Sequence, residues 1–235
     1  MLASPTFHPA RAPWQRYPRL AFTALTALAC PVLIRWLDKP LALVLHRYAE
    51  GAVPLFEWAT TKVDIAYGVT MHTVRGLPLL LWALGLGYLL GRWVLRWRGA
   101  TVLLLVLLTH VSSEVTANVL KVLTHRERPT FVAGTDLGGA FGSHGPTWDS
   151  FPSAHTAMYW SLFWPLALAF TRWRGPLLAV PVVVAVGRLV LGLHYLSDVW
   201  AAIWLVVAWA WLWQQLVAWA EARLARGPRR PATGA

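Results

Sequence analysis

Apolar residues run in long blocks along this chain, broken by short clusters of arginine, glycine and proline. A helix that crosses a bilayer core needs about 20 mostly apolar residues. Six stretches answer to that length: 20–37, 77–95, 100–121, 153–171, 175–194 and 195–219. The pattern predicts an all-α fold, an integral membrane bundle of six transmembrane helices in one domain, 20–221. Residues 38–76 mix apolar and charged positions around Pro40, Gly51 and Pro54, which predicts one or two short interfacial helices on the outer side. Residues 130–151 are rich in Gly, Thr and Ser and read as an exposed loop, long enough to be functional or mobile. A tail, 1–19, precedes the bundle, and a basic tail, 222–235, follows it, with Pro228, Pro231 and Gly234 predicting disorder. No internal repeat is visible.

Charge adds orientation. With the N-terminus inside, the inner segments hold Arg11, Arg16, Arg19, Arg92, Arg96, Arg98, Arg172, Arg174, Arg223, Arg226, Arg229 and Arg230, twelve of the 21 basic residues. Of the ten acidic residues only Glu221 falls there. Positive residues concentrate on the cytoplasmic side, so an even number of spans with both termini cytoplasmic is expected. Trp93, Trp97, Trp173, Trp213 and Trp219, near segment ends, suit interfacial belts.

Composition narrows the class. At 57% hydrophobic, 13% charged and 16 Trp in 235 residues, the chain is too apolar for an ordinary soluble domain and too short for several membrane domains. The net charge of +11 would suit nucleic acid, but most arginines flank apolar runs instead of forming one stripe, so lipid contact is expected and a nucleic-acid partner is not. One cysteine, Cys30, excludes an internal disulfide and a multi-cysteine metal site. Leu28 sits where a lipoprotein cleavage site wants a small residue, and the first span reads as an uncleaved signal anchor.

Three clusters carry chemistry. Lys121 lies seven residues before Arg128-Pro129 at the end of the third span, and lysine offers a point charge where arginine offers a planar fork for two oxygens. Ser150-Phe151-Pro152-Ser153-Ala154-His155 has the grammar of a helix start, where free amides and the dipole hold phosphate. Gly187-Arg188 precedes His194, with Gly192 allowing a turn, and Asp198 lies one helical turn beyond His194, where a carboxylate would accept the Nδ1 proton and leave Nε2 free.

These clusters resemble the type 2 phosphatidic acid phosphatase (PAP2) superfamily, whose pattern is K-x6-RP, PSGH and SR-x5-H-x3-D. Order and internal spacings match across about 100–215. Ala154 replaces the usual Gly, and Gly187 the usual Ser. The resemblance implies that His194 attacks phosphorus to form a phosphohistidine. It implies that His155 protonates the leaving oxygen and then activates water, and that Asp198 orients His194. Lys121, Arg128, Ser153 and Arg188 would hold the phosphate oxygens. Three cations near one phosphate do what Mg²⁺ does elsewhere, so no metal and no cofactor is expected. The implied substrate is the phosphate or diphosphate of a membrane lipid, met at the extracytoplasmic face of a bacterial inner membrane. Undecaprenyl diphosphate, phosphatidylglycerophosphate, phosphatidic acid and lipid A phosphates all remain open, as does oligomeric state.

Blander readings stand beside these. Singly, His155 reads as a capping residue, His194 as a core histidine, and Lys121, Arg126 and Arg128 as interfacial anchors; Arg126 keeps that reading. His110, Glu114, Asn118, Lys121 and His125 share one face of the third span, and a His110–Glu114 pair joining helices competes with a proton path. A lipid phosphotransferase, a vanadium-dependent haloperoxidase and a non-catalytic head-group transporter or binding protein are the functional alternatives.

Overall fold

The computed structural model describes residues 17–70, 73–74, 77–129, 138–143 and 147–226. Most of the predicted N-terminal tail, residues 130–137 and 144–146 of the predicted loop 130–151, and residues 227–235 lie outside the described residues. Among the described residues eight α-helices follow one another: α1 Tyr17–Val32, α2 Asp38–Tyr48, α3 Val53–Thr70, α4 Leu79–Leu89, α5 Thr101–Thr124, α6 Ala154–Ala169, α7 Arg174–Val190 and α8 Leu196–Arg226. A π turn, Leu33–Leu37, joins α1 to α2, and a second, Leu90–Val94, prolongs α4. Thr73–Val74 and Leu77–Pro78 pair as a minimal antiparallel ladder.

Helix α6 is the centre: it packs against α5, α7 and α8. Around this core α4 lies on α5, α3 on α7, and α1 on α8. Pattern explains the packing. On α5 the buried positions include Val102, Leu105, Val106, Thr109, His110, Ser113, Ala117 and Lys121, which recur at three and four residues as one helical face. The opposite face is apolar and exposed, with Val115 at 58% and Leu123 at 72%. Thr109 and Ser113 inside with Leu123 outside is the reverse of a water-soluble helix. It is what a hydrocarbon solvent selects, because apolar side chains face lipid at no cost and polar ones do not.

Among the described residues three helices are long and apolar enough to cross a membrane, Thr101–Thr124, Thr171–Val190 and Leu196–Leu224; Leu79–Val94 is a shorter apolar helix. Three of the six predicted spans therefore meet that length. Helices α1 and α6 have 16 residues each, about 24 Å at helical rise, short of a core about 30 Å thick. Residues 38–76 contain not only the short α2 but α3, an 18-residue helix docked on α7. The predicted C-terminal tail is helical as far as Arg226.

Gly187 permits the docking of α3. A Cβ there would stand 2.8 Å from Thr60 Cγ2 and 3.3 Å from Phe56 Cδ1. Thr60 cannot readily turn away, since its hydroxyl donates to the Phe56 carbonyl at 2.7 Å.

Candidate active site

Helix α5 ends at a residue in the left-handed region, His125 at φ 45°, whose amide closes on the Lys121 carbonyl at 3.0 Å. Its ring stacks on Trp148 at 4.5 Å between centroids. The segment that follows is zipped to the described parts of the loop beyond it. Glu127 N donates to Ala140 O, Arg128 N to Thr147 O and Ser150 N to Arg126 O, each at 2.9 Å. The residues before α6 are thus held against the end of α5.

That zipper sets Asp149 beside two of the predicted phosphate ligands. Arg128 donates through Nε and Nη2 to the two Asp149 carboxylate oxygens at 2.8 and 2.9 Å. Lys121 Nζ donates to the Asp149 carbonyl and lies 3.5 Å from Oδ2. The carboxylate occupies the fork that suits two phosphate oxygens. Burial pushes the Asp149 carboxyl up, but the hydrogen bond from Arg128 and the charges of Lys121 and Arg128 outweigh it and hold the group below the usual carboxylate range.

Helix α6 starts at Ser153, after a cis Phe151–Pro152 bond. Ser153 is its N-cap: the hydroxyl oxygen accepts from Thr156 N at 3.4 Å and from Thr156 Oγ1 at 3.0 Å. Ser153 N donates to the Asp198 carbonyl at 3.1 Å, which fastens the start of α6 to that of α8. His155 lies in the first turn of α6 with its side chain 42% exposed.

Between α7 and α8 the chain turns at Gly192, φ 64°, and the amides of Leu193 and His194 both donate to the Arg188 carbonyl. His194 is 4% exposed. Its Nδ1 lies 2.8 Å from the Ser150 carbonyl and 3.6 Å from Asp198 Oδ2. A carbonyl only accepts, so Nδ1 carries the proton and Nε2 keeps a free lone pair. The contact favours the expected tautomer with the Ser150 backbone as acceptor; Asp198, 3.6 Å away, is a charged neighbour beyond hydrogen-bond range. Asp198 instead accepts from Ser150 Oγ at 2.6 Å, Tyr195 N at 2.8 Å and Arg126 Nη1 at 2.6 Å. It therefore fixes the residue whose carbonyl fixes His194. Arg188 is nearly buried, and its Nε has no hydrogen-bond partner among the described residues. A buried cationic donor without an acceptor is suited to receive an anion.

These groups share one neighbourhood. His155 feels the charges of Arg188, Asp64, His194 and Lys121, and His194 those of Asp198, Lys121 and Arg128. Among the described residues no group of three or more His, Cys, Asp and Glu side chains is disposed to hold a metal ion.

Sequence reading missed several contributors. Arg126 is no interfacial anchor: it is 2% exposed, bonds Asp38 at 2.7 Å and Asp198 at 2.6 Å, and lies over the rings of Phe141 and Tyr195. Asp64 on α3 stands 3.7 Å from His155 Nε2 and 3.9 Å from Arg188 Nη2, and accepts from the Tyr159 hydroxyl at 2.8 Å. An acid isolated in the apolar run Val63-Asp64-Ile65-Ala66 was the available signal, since such a charge needs a partner. His110 joins helices, but through Tyr67 at 3.1 Å and Ser161 at 2.9 Å. Glu114 Oε1 is buried with no hydrogen-bond partner among the described residues, so the expected His110–Glu114 pair is not formed.

The fold is a helical membrane bundle that carries two histidines and three basic side chains at helix ends. Residues 99–222 match the PAP2 superfamily, and the chain belongs to that superfamily. Relatives include lipid A 1-phosphatases of Rhizobium johnstonii and Rhizobium etli. The first is 34% identical over 97 residues, 40% of this chain and 39% of the relative. The second is 33% identical over 97 residues, 40% of this chain and 41% of the relative. The match thus spans about two-fifths of the length of these relatives. The crystal structure of a transmembrane PAP2-type phosphatidylglycerolphosphate phosphatase from Bacillus subtilis superposes with a TM-score of 0.53 at 18% identity, covering 86% of this chain and 96% of that one. That likeness supports the fold. Apolar helices and membrane relatives together mark an integral membrane protein.

Proposed function

We propose that the protein hydrolyses a phosphomonoester or diphosphate on a membrane lipid through a phosphohistidine formed on His194. The observation that carries this reading is the Nδ1–H of His194 held at 2.8 Å by the Ser150 carbonyl, which leaves Nε2 as a lone pair within reach of Lys121 and Arg128 charge. In the first step Nε2 attacks phosphorus, the P–O bond to the lipid breaks, and His155 gives its proton to the departing oxygen. In the second step His155 takes a proton from water, the hydroxide attacks phosphorus, and the P–N bond breaks to release inorganic phosphate and neutral His194.

Lys121, Arg128 and Arg188 neutralise charge on the equatorial oxygens, with the Ser153 hydroxyl as a further donor. Substrate phosphate would displace Asp149 from the Arg128 fork. With three cations present the reaction is proposed to need no metal. The names of the Rhizobium relatives make the 1-phosphate of lipid A the first substrate to try. Undecaprenyl diphosphate, phosphatidylglycerophosphate and phosphatidic acid complete the panel. We place the site at the extracytoplasmic face of a bacterial inner membrane, with both termini cytoplasmic, on the distribution of arginines.

Phosphate release from this panel in detergent, with chelator present, tests the reading. At least one lipid should be turned over, Arg188→Gln should lower kcat/KM roughly 10²–10³-fold, and His194→Ala should reduce it to background. No release from any lipid, or turnover by His194→Ala near the parent rate, contradicts it.

A further inference from the structure

We infer that Asp64, on α3 and outside the segment that matches the family, is a positioning residue for His155: it stabilises the imidazolium that gives its proton to the leaving oxygen. The inference rests on the phosphatase reading above and adds a residue to it. Three observations converge on Asp64. Its Oδ2 lies 3.7 Å from His155 Nε2. Its Oδ1 is held by the Tyr159 hydroxyl at 2.8 Å, one turn along α6 from His155, so the carboxylate does not swing away. The helix that carries it is brought onto α7 by the missing side chain at Gly187, where any Cβ would meet Thr60 Cγ2 at 2.8 Å.

At 3.7 Å the pair is a charge contact and not a hydrogen bond, so the Nε2 proton is not committed to Asp64. The effect is on the balance between the two forms of the ring. The other charged groups that bear on His155 all disfavour a positive ring: Arg188 from α7, Lys121 from α5, and His194 from the turn before α8. Asp64 is the negative charge among them. Arg188 Nη2, 3.9 Å from the same Oδ2, shares that charge and keeps Asp64 from repelling an incoming phosphate outright. Each histidine thus has its own carboxylate neighbour, Asp198 for the nucleophile and Asp64 for the acid.

The sign of the pH effect follows. His155 must be protonated to act on the leaving oxygen, so its loss of a proton sets the alkaline limb of kcat/KM. Removing the Asp64 charge makes the imidazolium easier to deprotonate, and the limb moves to lower pH. An opposite charge at this distance shifts such a group by about one unit or more.

The test uses purified full-length protein in detergent and phosphate release from phosphatidic acid, lipid A and undecaprenyl diphosphate across pH. Asp64→Asn should move the alkaline limb about one unit toward acid, which is roughly a tenfold loss above the limb, with KM unchanged or lower. Asp64→Glu should restore the limb. If Asp64→Asn is poorly folded by thermal melting, Gly187→Ser, which pushes α3 outward, should move the limb the same way by a smaller amount. An unmoved limb with a uniform loss at every pH, or a rise in KM alone, overturns the inference and assigns Asp64 to holding Arg188. Wild-type activity in Asp64→Asn overturns it as well. No phosphate release by the wild-type protein from any of the three lipids overturns the phosphatase reading and Asp64's role with it.

Discussion

The Asp149 carboxylate fills the two-donor fork of Arg128, and this has consequences at the scale of single residues. Its pKa is held below the ordinary range, so it remains ionised at neutral pH. The folded-state value lies below the unfolded value of about 3.9, so its contribution to stability is present above that value and lost as pH falls through the folded one. Acidification within the physiological range therefore does not vacate the fork; an incoming anion must. Asp149→Asn should lower KM for the lipid phosphate by about fivefold, matching ~1 kcal/mol for a partly exposed ion pair, as read from initial rates at pH 7. A rise in KM would show that Asp149 builds the site and does not compete for it.

Legibility in the sequence was uneven at this scale, for physical reasons. Lys121, Arg128, His155, Arg188, His194 and Asp198 stand at motif spacings, and spacing survives in a linear text. The Ser150 carbonyl that orients His194 is backbone and has no side-chain signature. Asp149, Asp64 and Arg126 act across tertiary contacts from separate elements, and nothing local in the chain reports them beyond a charge in an apolar setting.

At the scale of elements, Arg126 is the tie between the start of α2 and the start of α8. Asp38 accepts from Arg126 and from Ser197 N at 2.9 Å, while Asp198 accepts from the other end of the guanidinium. Both carboxylates are buried. Removing the cation leaves two buried carboxylates without their counter-charge, which costs about 3–5 kcal/mol for a buried pair. Arg126→Leu should lower the thermal midpoint in detergent markedly, and Arg126→Leu combined with Asp38→Asn should recover part of the loss. Equal melting of wild type and Arg126→Leu would contradict the network. Helix existence was readable from apolar blocks, and six of the eight described helices overlap the predicted spans, three of them at full spanning length. The underestimate was α3: a mixed apolar and charged text reads as interfacial, whereas its charge at Asp64 faces the site and its apolar residues Ile65 and Val69 are exposed.

At the scale of the molecule, the polar interior and apolar exterior are those of a protein dissolved in lipid. Trp93, Trp173 and Trp219 are exposed near helix ends, suited to the interface, while Trp213 turns inward to donate to Ser112 at 3.0 Å. The proposed orientation puts the end of α5, the start of α6 and the α7–α8 turn on the outer side. In a Cys30→Ser background, Thr147→Cys should react with a membrane-impermeant maleimide in intact cells, and Leu224→Cys only after permeabilisation. The reverse pattern would place the site at the cytoplasmic face.

The most direct test of the central claim is the identity of the residue that carries phosphate during turnover. The full-length protein is mixed with a lipid substrate bearing radiolabelled phosphate, quenched in alkali, which preserves phosphohistidine, and mapped by peptide. Label on the peptide containing His194, absent from His194→Gln, is the predicted result. Rapid phosphate release with no covalent label at His194, or label retained in His194→Gln, would contradict it.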